Sequence, residues 1–209
     1  MFLLSLPRFI SLAAAIVLPA TLLHAAVPPP AEAPEPASLT GQLLIAAPTM
    51  GDPRFARTVI LMARHAKDGA FGIAINRPIG EHPLSAILQL LGDKEPAVPG
   101  SVRIFAGGPV QPDAGFVVHR PDYHGPATLD INEHAAITSS REILRDIGNG
   151  KGPSRSLIAF GYSGWGPGQL DGELARRDWA IAPADPSLIF DLDRDKVWDA
   201  AYAQRMQDL

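Results

Sequence analysis

The sequence predicts a mixed α/β domain built around a largely antiparallel sheet. Short apolar runs rich in β-branched residues recur along the chain, an Asp-Gly pair joins two of them, and stretches with apolar residues at helical spacing lie between others. With 19 Gly and 21 Pro among 209 residues, the chain turns often between short elements.

Taken in order, LLIAAP, Leu43 to Pro48, is a continuous apolar run stopped by proline, the pattern of a buried strand. TVILMARH, Thr58 to His65, and FGIAINRP, Phe71 to Pro78, are the next two strands. The Asp68-Gly69 pair between them predicts an antiparallel hairpin, because glycine takes the positive φ of a tight turn. HPLSAILQLLGD places Leu84, Ile87, Leu88 and Leu91 on one helical face before Gly92. VRIFAGGPV is a strand ending at Gly107-Gly108-Pro109, and Gly115 to Arg120 is another, whereas TLDINEHAAIT fits neither period. Ser139 three residues before Glu142 makes a capping-box pattern and Gly148 supplies a stop, so a helix over 140–147 is expected. SLIAFGYSGW is a strand that leads through glycines into a helix in QLDGELARRDW. WAIAPAD and SLIFD read as short extended pieces, and Val197, Trp198, Ala201 and Tyr202 share the buried stripe of a C-terminal helix over 194–207.

The N-terminal region differs from this. Residues 1–26 carry one charged side chain, Arg8, ahead of an uncharged run and paired alanines, the layout of a signal peptide or N-terminal leader. The run is shorter than the ~20 residues of a membrane-crossing helix, so no transmembrane anchoring is expected after processing. Leu23 or His24 at the −3 position suits cleavage poorly, and a translation start nearer Leu39 is the other reading. The first reading predicts an exported, periplasmic protein and the second a cytoplasmic one. Residues 27–37, VPPPAEAPEPA, form a Pro/Ala-rich linker, and residues 38–209 form a single compact domain.

Composition excludes several chemistries. Eighteen basic against 22 acidic side chains give a net charge of −4, without the basic excess of a nucleic-acid binder. The lack of cysteine removes disulfides, thiolate metal sites, a cysteine nucleophile and a lipoprotein anchor. His119, Asp122 and His124 have no metal-ligand spacing and read as surface groups, so no metal or cofactor is expected. Gly161-Tyr-Ser-Gly-Trp165 resembles a nucleophile elbow, but Trp165 stands where its second glycine belongs. All six histidines also precede Ser163, opposite to the order of α/β-hydrolases. The glycines at 164, 166 and 168 match neither phosphate-loop nor dinucleotide spacing, yet a strand, a glycine-rich turn and a helix start leave backbone N–H groups for an anion.

The run LLIAAPTMGDPRFARTVILMARHAKDGAFGIAINRP, then IFAGGPV, IAFGYSGWGPGQLDGEL, DW and VWDAA, resembles the bacterial AlgH/YqgE family over about residues 39–205. The resemblance implies a barrel-like antiparallel sheet with flanking helices. Members of the family are labelled uncharacterised or as transcriptional regulators, and the resemblance supplies no catalytic residues. Its pattern maps onto His65, Asn76 and Arg77 in the first hairpin, Gly107 and Gly108 in the middle loop, and Trp165, Gly166 and Gln169 in the third. With Ser163, these form the predicted binding cluster of loops. The leading expectation is a non-enzymatic binding or regulatory protein that engages a protein or small anionic ligand. The alternatives are a hydrolase using Ser163 in a non-standard triad and, for a cytoplasmic protein, a regulator linked to DNA.

Overall fold

The computed structural model describes residues 38–94 and 97–206; the expected leader and linker lie outside them. Ten strands and four short helices follow in the order β1 (Gln42–Ala46), β2 (Val59–Ala66), β3 (Gly69–Ala74), β4 (Pro78–Pro83), α1 (Leu84–Leu90), β5 (Ser101–Ala106), β6 (Val110–His119), β7 (Thr128–Asp130), β8 (Ala136–Thr138), α2 (Glu142–Gly148), β9 (Ser156–Trp165), α3 (Gln169–Ala175), β10 (Trp179–Pro183) and α4 (Val197–Ala203). The strands curl into an antiparallel half-barrel in the order β10-β1-β2-β3-β9-β6-β8-β7. β5 joins β9 in the one parallel pairing among the described residues, with β4 beyond it.

β9 organises the sheet. Its first half, Ser156 to Phe160, lies between β5 and β6, and its end, Ser163 to Trp165, pairs with β3, while Tyr162 stays opposite Val110 of β6. The change of partner falls at Gly161, whose φ of +73° is open to glycine and costly for other residues. The uninterrupted apolar runs of β1 and β2 follow from burial on both faces. Leu43, Ile45, Val59 and Leu61 meet α4 and the turn before it, whereas Leu44, Ala46, Ile60 and Met62 meet Trp165, Trp179 and Leu170. A third cluster packs α1 and α2 against Ile104, Val117 and Ile158.

The Asp68-Gly69 hairpin forms as expected, with Ala66 opposite Gly69. Other expectations are corrected. The ambiguous TLDINEHAAIT stretch is the β7–β8 hairpin, closed by Asn132, whose Oδ1 accepts from the N–H groups of His134 and Ala135. SLIFD is a π-helical turn, Ser187–Asp191, rather than an extended piece. Asp185 starts it by accepting from Ser187 N through Oδ1 and from Leu188 and Ile189 N through its carbonyl. The capping box at Ser139 does not form. Ser139 donates its backbone N–H to Ala127 O, and helix α2 begins at Glu142 with Ser140 Oγ accepting from Glu142 N. The helix ends at Gly148 as expected, and this glycine is also a packing requirement, since a Cβ there would clash with Val98 Cγ1. His82 and Pro83 belong to β4 rather than to α1, and α4 is shorter than the 194–207 expected. The strand expected from Gly115 begins at Val110. No helix of the described residues is long and apolar enough to cross a membrane.

Candidate functional site

The residues singled out in the sequence divide into two groups, and only one of them opens to a groove. In the first group, side chains complete the fold. Asn76 follows β3, where its Oδ1 accepts from Val59 N at 2.9 Å and its Nδ2 donates to Arg57 O at 2.9 Å. Arg77 turns back on the same segment, donating to Thr58 Oγ1 at 3.0 Å and Ala56 O at 3.3 Å. His65 Nδ1 accepts from Leu39 N at 3.2 Å, so its proton sits on Nε2, which faces Asp171 Oδ1 at 3.6 Å. These groups are occupied by the backbone that they fasten.

Gly107 and Gly108 are likewise structural, because a Cβ on either would lie 2.2 Å from the backbone of β9, at Gly161 O and at the Tyr162 carbonyl carbon respectively. Ser163 is not on a loop. It stands within β9 opposite Gly72, its hydroxyl is fully buried, and Oγ has no hydrogen-bond partner. A nucleophile needs access and a base within hydrogen-bond reach, so the elbow reading loses its geometry. The strand runs on to Trp165 instead of turning at the serine.

The second group surrounds Glu173 on α3. Trp165 and Trp179 both donate their indole N–H to Glu173 Oε2 at 2.8 Å, and Gln169 Nε2 donates to Oε1 at 2.9 Å. Gln169 Oε1 in turn accepts from Gly166 N at 3.1 Å, tying the glycine-rich turn to the helix. The rings of Phe55, Trp179 and Trp165 meet edge to face, with centroids 5.5 and 5.9 Å apart. Together with Met50, Arg54, Val110, Arg176 and Asp178 they line a groove of about 530 Å³. The indoles are themselves buried, so the groove has a fixed aromatic floor rather than swinging side chains.

Apart from Glu173, whose carboxylate is met by neutral donors, the groove's charged side chains are paired. Arg54 grips Asp52 through Nε and Nη2, and Arg176 pairs with Asp178 at 2.9 Å. Hydrogen bonds from Arg54, foremost its side-chain ones, hold the Asp52 carboxyl below its ordinary pKa. Of the expected cluster, Trp165, Gln169 and Gly166 come together here, whereas His65, Asn76, Arg77, Gly107, Gly108 and Ser163 do not line this groove. Glu173, Phe55 and Trp179 were missed. The legible signal was Glu173 one helical turn after Gln169, a spacing that puts both side chains on one face.

One more expectation fails. His119 is wholly buried instead of lying on the surface, packed edge-to-face against Tyr123. Its Nδ1 contacts Arg120 O at 2.7 Å and its Nε2 contacts Thr138 Oγ1 at 2.8 Å. A carbonyl only accepts, so Nδ1 carries a proton, and burial favours the neutral form of the ring.

Comparison with known proteins places this geometry. The profile of the AlgH-like family matches residues 43–209. A UPF0301 protein of Sphingopyxis alaskensis is 45% identical over 169 residues, covering 81% of this chain and 90% of that protein. One from Jannaschia sp. is 46% identical over 165 residues, covering 78% and 86%. The solution structure of AlgH from Pseudomonas aeruginosa superposes with a TM-score of 0.71 at 41% identity, covering 81% of this chain and 90% of that one. A crystal structure from Corynebacterium diphtheriae, at 24% identity and a TM-score of 0.62 over 82% of this chain and 89% of its own, shares the fold. On this evidence the chain belongs to the AlgH-like, UPF0301 family.

Proposed function

We propose that this chain is a non-enzymatic binding protein, which takes up a small ligand or a segment of a partner protein in the groove between β9, α3 and β10. One observation carries the reading. A carboxylate buttressed by two indoles and an amide fixes an aromatic floor before any ligand arrives, and preorganisation of this kind lowers the entropic cost of binding. The groove's size suits a ligand of drug-like or short-peptide dimensions. Its arginines are paired with acids and Glu173 adds a carboxylate, which favours an uncharged contact over the anion that the glycine turn alone suggested.

The alternatives receive less support. Ser163 is sealed in the core without a partner, which disfavours the hydrolase. Arg54, Arg57 and Arg64, close together in sequence, are each paired with an acid, Asp52, Asp199 and Asp68 respectively, which disfavours a DNA contact there.

Ligand screening of the full chain by thermal shift and tryptophan fluorescence tests the proposal. A compound that binds the groove should stabilise the protein, alter the emission of Trp165 or Trp179, and bind at least about tenfold more weakly to Phe55→Ala or Arg176→Ala. Ligands whose binding is unchanged in both variants would overturn it.

A further inference from the structure

On a separate face, Pro78, β5, the start of β9 and the segment after the π-helical turn enclose a groove of about 680 Å³. Two arginines, Arg103 and Arg194, are among its lining residues. They differ in how they are held. Arg103 is exposed on β5, whereas Arg194 is buried, with Nη1 donating to Ile189 O at 2.7 Å and Nη2 donating to Leu192 O. The π-helical turn supplies one of these carbonyls, so an irregular stretch of backbone serves to fix a charged side chain.

Among the described residues, neither guanidinium forms an ion pair. The nearby acids are engaged elsewhere: Asp191 pairs with Arg155 at 3.0 Å, and Asp193 with Lys196 at 2.8 Å. Asp195 is the remaining acid on the wall. Burial, and after it the charge of Arg103, pulls the Arg194 guanidinium below its ordinary pKa, while Asp191 and Asp193 act in the opposite direction. A buried cation is ordinarily met by a carboxylate, and two like charges facing one cavity repel unless something sits between them. Here carbonyl dipoles orient Arg194, no carboxylate pairs with it directly, and Asp191 and Asp193 favour its charge only from a distance. The remaining walls are apolar, from Pro78, Val102, Phe105, Leu157 and Phe190, and Ser156 adds a hydroxyl.

We propose that this groove binds a small ligand composed of an oxyanion, carboxylate or phosphate, joined to an apolar body, with the oxyanion bridging Arg103 and Arg194. The guanidinium fork matches both oxyanions, and the bridging anion converts a repulsive pair into two charge-assisted contacts. The apolar walls hold the body of the ligand. This site is independent of the tryptophan groove and takes the opposite class of ligand.

The test is an amide chemical-shift titration of the full chain with phenyl phosphate and with phenylacetate, which share an aromatic body and differ in the oxyanion. Inorganic phosphate is the third probe, and ionic strength is held constant. Saturable shifts in residues 102–105, 156–158 and 190–195 are expected from at least one aromatic probe, with weaker binding of inorganic phosphate. Which aromatic probe binds more tightly identifies the oxyanion. Arg103→Gln, an exposed substitution, should weaken binding about tenfold, the loss of one charge-assisted contact. Arg194→Lys should weaken it as well if the variant folds, but the test does not depend on it. Absence of saturable shifts with both aromatic probes, equal affinity in Arg103→Gln, or shifts confined to Trp165 and Trp179 would each overturn the proposal. The last outcome would leave the tryptophan groove intact as a site.

Discussion

Gly107 and Gly161 touch backbone to backbone, so closely that a Cβ on Gly107 would stand 2.2 Å from the Gly161 carbonyl oxygen. The contact lets the β5–β6 connection cross β9 where β9 exchanges β5 for β3, and Gly107 N donates to Phe160 O at 2.7 Å. Gly107→Ala is therefore expected to destabilise the fold by about 3 kcal/mol, the scale of a forced backbone shift. Gly166→Ala is the control, since the nearest atom to its Cβ is Gln169 Oε1 at 4.0 Å and the cost should stay within about 0.5 kcal/mol. Urea unfolding of the two variants separates packing glycines from spacer glycines, and equal costs would refute the distinction.

Asn76 acts as a piece of β-ladder made from a side chain. Its amide accepts from Val59 N and donates to Arg57 O, and Arg57 sits at φ +54°, a strained conformation for a residue with a Cβ. Asn76→Ala should cost about 2 kcal/mol by leaving both backbone groups without a partner. Asn76→Asp should recover little, because a carboxylate cannot donate to Arg57 O. Denaturant midpoints decide this, and an Asp variant as stable as the parent would contradict it.

These two positions show where the sequence was informative. Asn76 and Gly107 stood out by residue type, but a motif does not reveal whether an amide faces solvent or a neighbouring strand. The hairpin at Asp68-Gly69 and the stripe of Val197, Trp198 and Ala201 were legible because each rests on short-range rules of turn geometry and helical period. The π-helical turn was not, because Asp185, which starts it, precedes the apolar letters that suggested a strand. The site was half legible for a similar reason. Trp165 and Gln169 adjoin one another in sequence, whereas Phe55 and Trp179 reach the same groove only through pairing of β10 with β1 and the turn before β2.

Glu173 should prove a stabilising residue as well as a wall of the groove. Glu173→Ala leaves two buried indole N–H groups without an acceptor and is expected to cost about 3 kcal/mol. Glu173→Gln should cost less. Its amide oxygen can still accept from the indoles, but its NH2 faces the Gln169 amide, whose oxygen is already committed to Gly166 N. The ranking is read from urea unfolding, with near-UV circular dichroism reporting the two tryptophans. Identical losses in both variants would show that the shared acceptor is not what holds the rings.

His119 predicts a pH dependence with a definite sign. Gly125 N donates to Thr128 Oγ1 at 3.1 Å, the hydroxyls of Thr128 and Thr138 are 2.7 Å apart, and Thr138 lies 2.8 Å from His119 Nε2. Because the Gly125 N–H can only donate, one consistent direction runs Gly125 to Thr128 to Thr138 to Nε2. Adding a proton at Nε2 ends the hydrogen bond that Thr138 donates to the ring and requires the Thr138 oxygen to accept from it instead. Burial lowers the His119 pKa below its ordinary 6.5; the Arg120 carbonyl, Asp122 and Asp130 oppose this, and His124 reinforces it. The unfolded chain then takes up a proton near pH 6.5 that the folded one refuses. His119 thus contributes its full stability above that pH and loses it as the pH falls toward the depressed folded value, by at most about 1.4 kcal/mol per pH unit. Unfolding free energies measured from pH 7.5 to 5 should decline more steeply for the parent than for His119→Gln, which cannot titrate. A parallel decline in the two proteins would place the acid sensitivity in other groups.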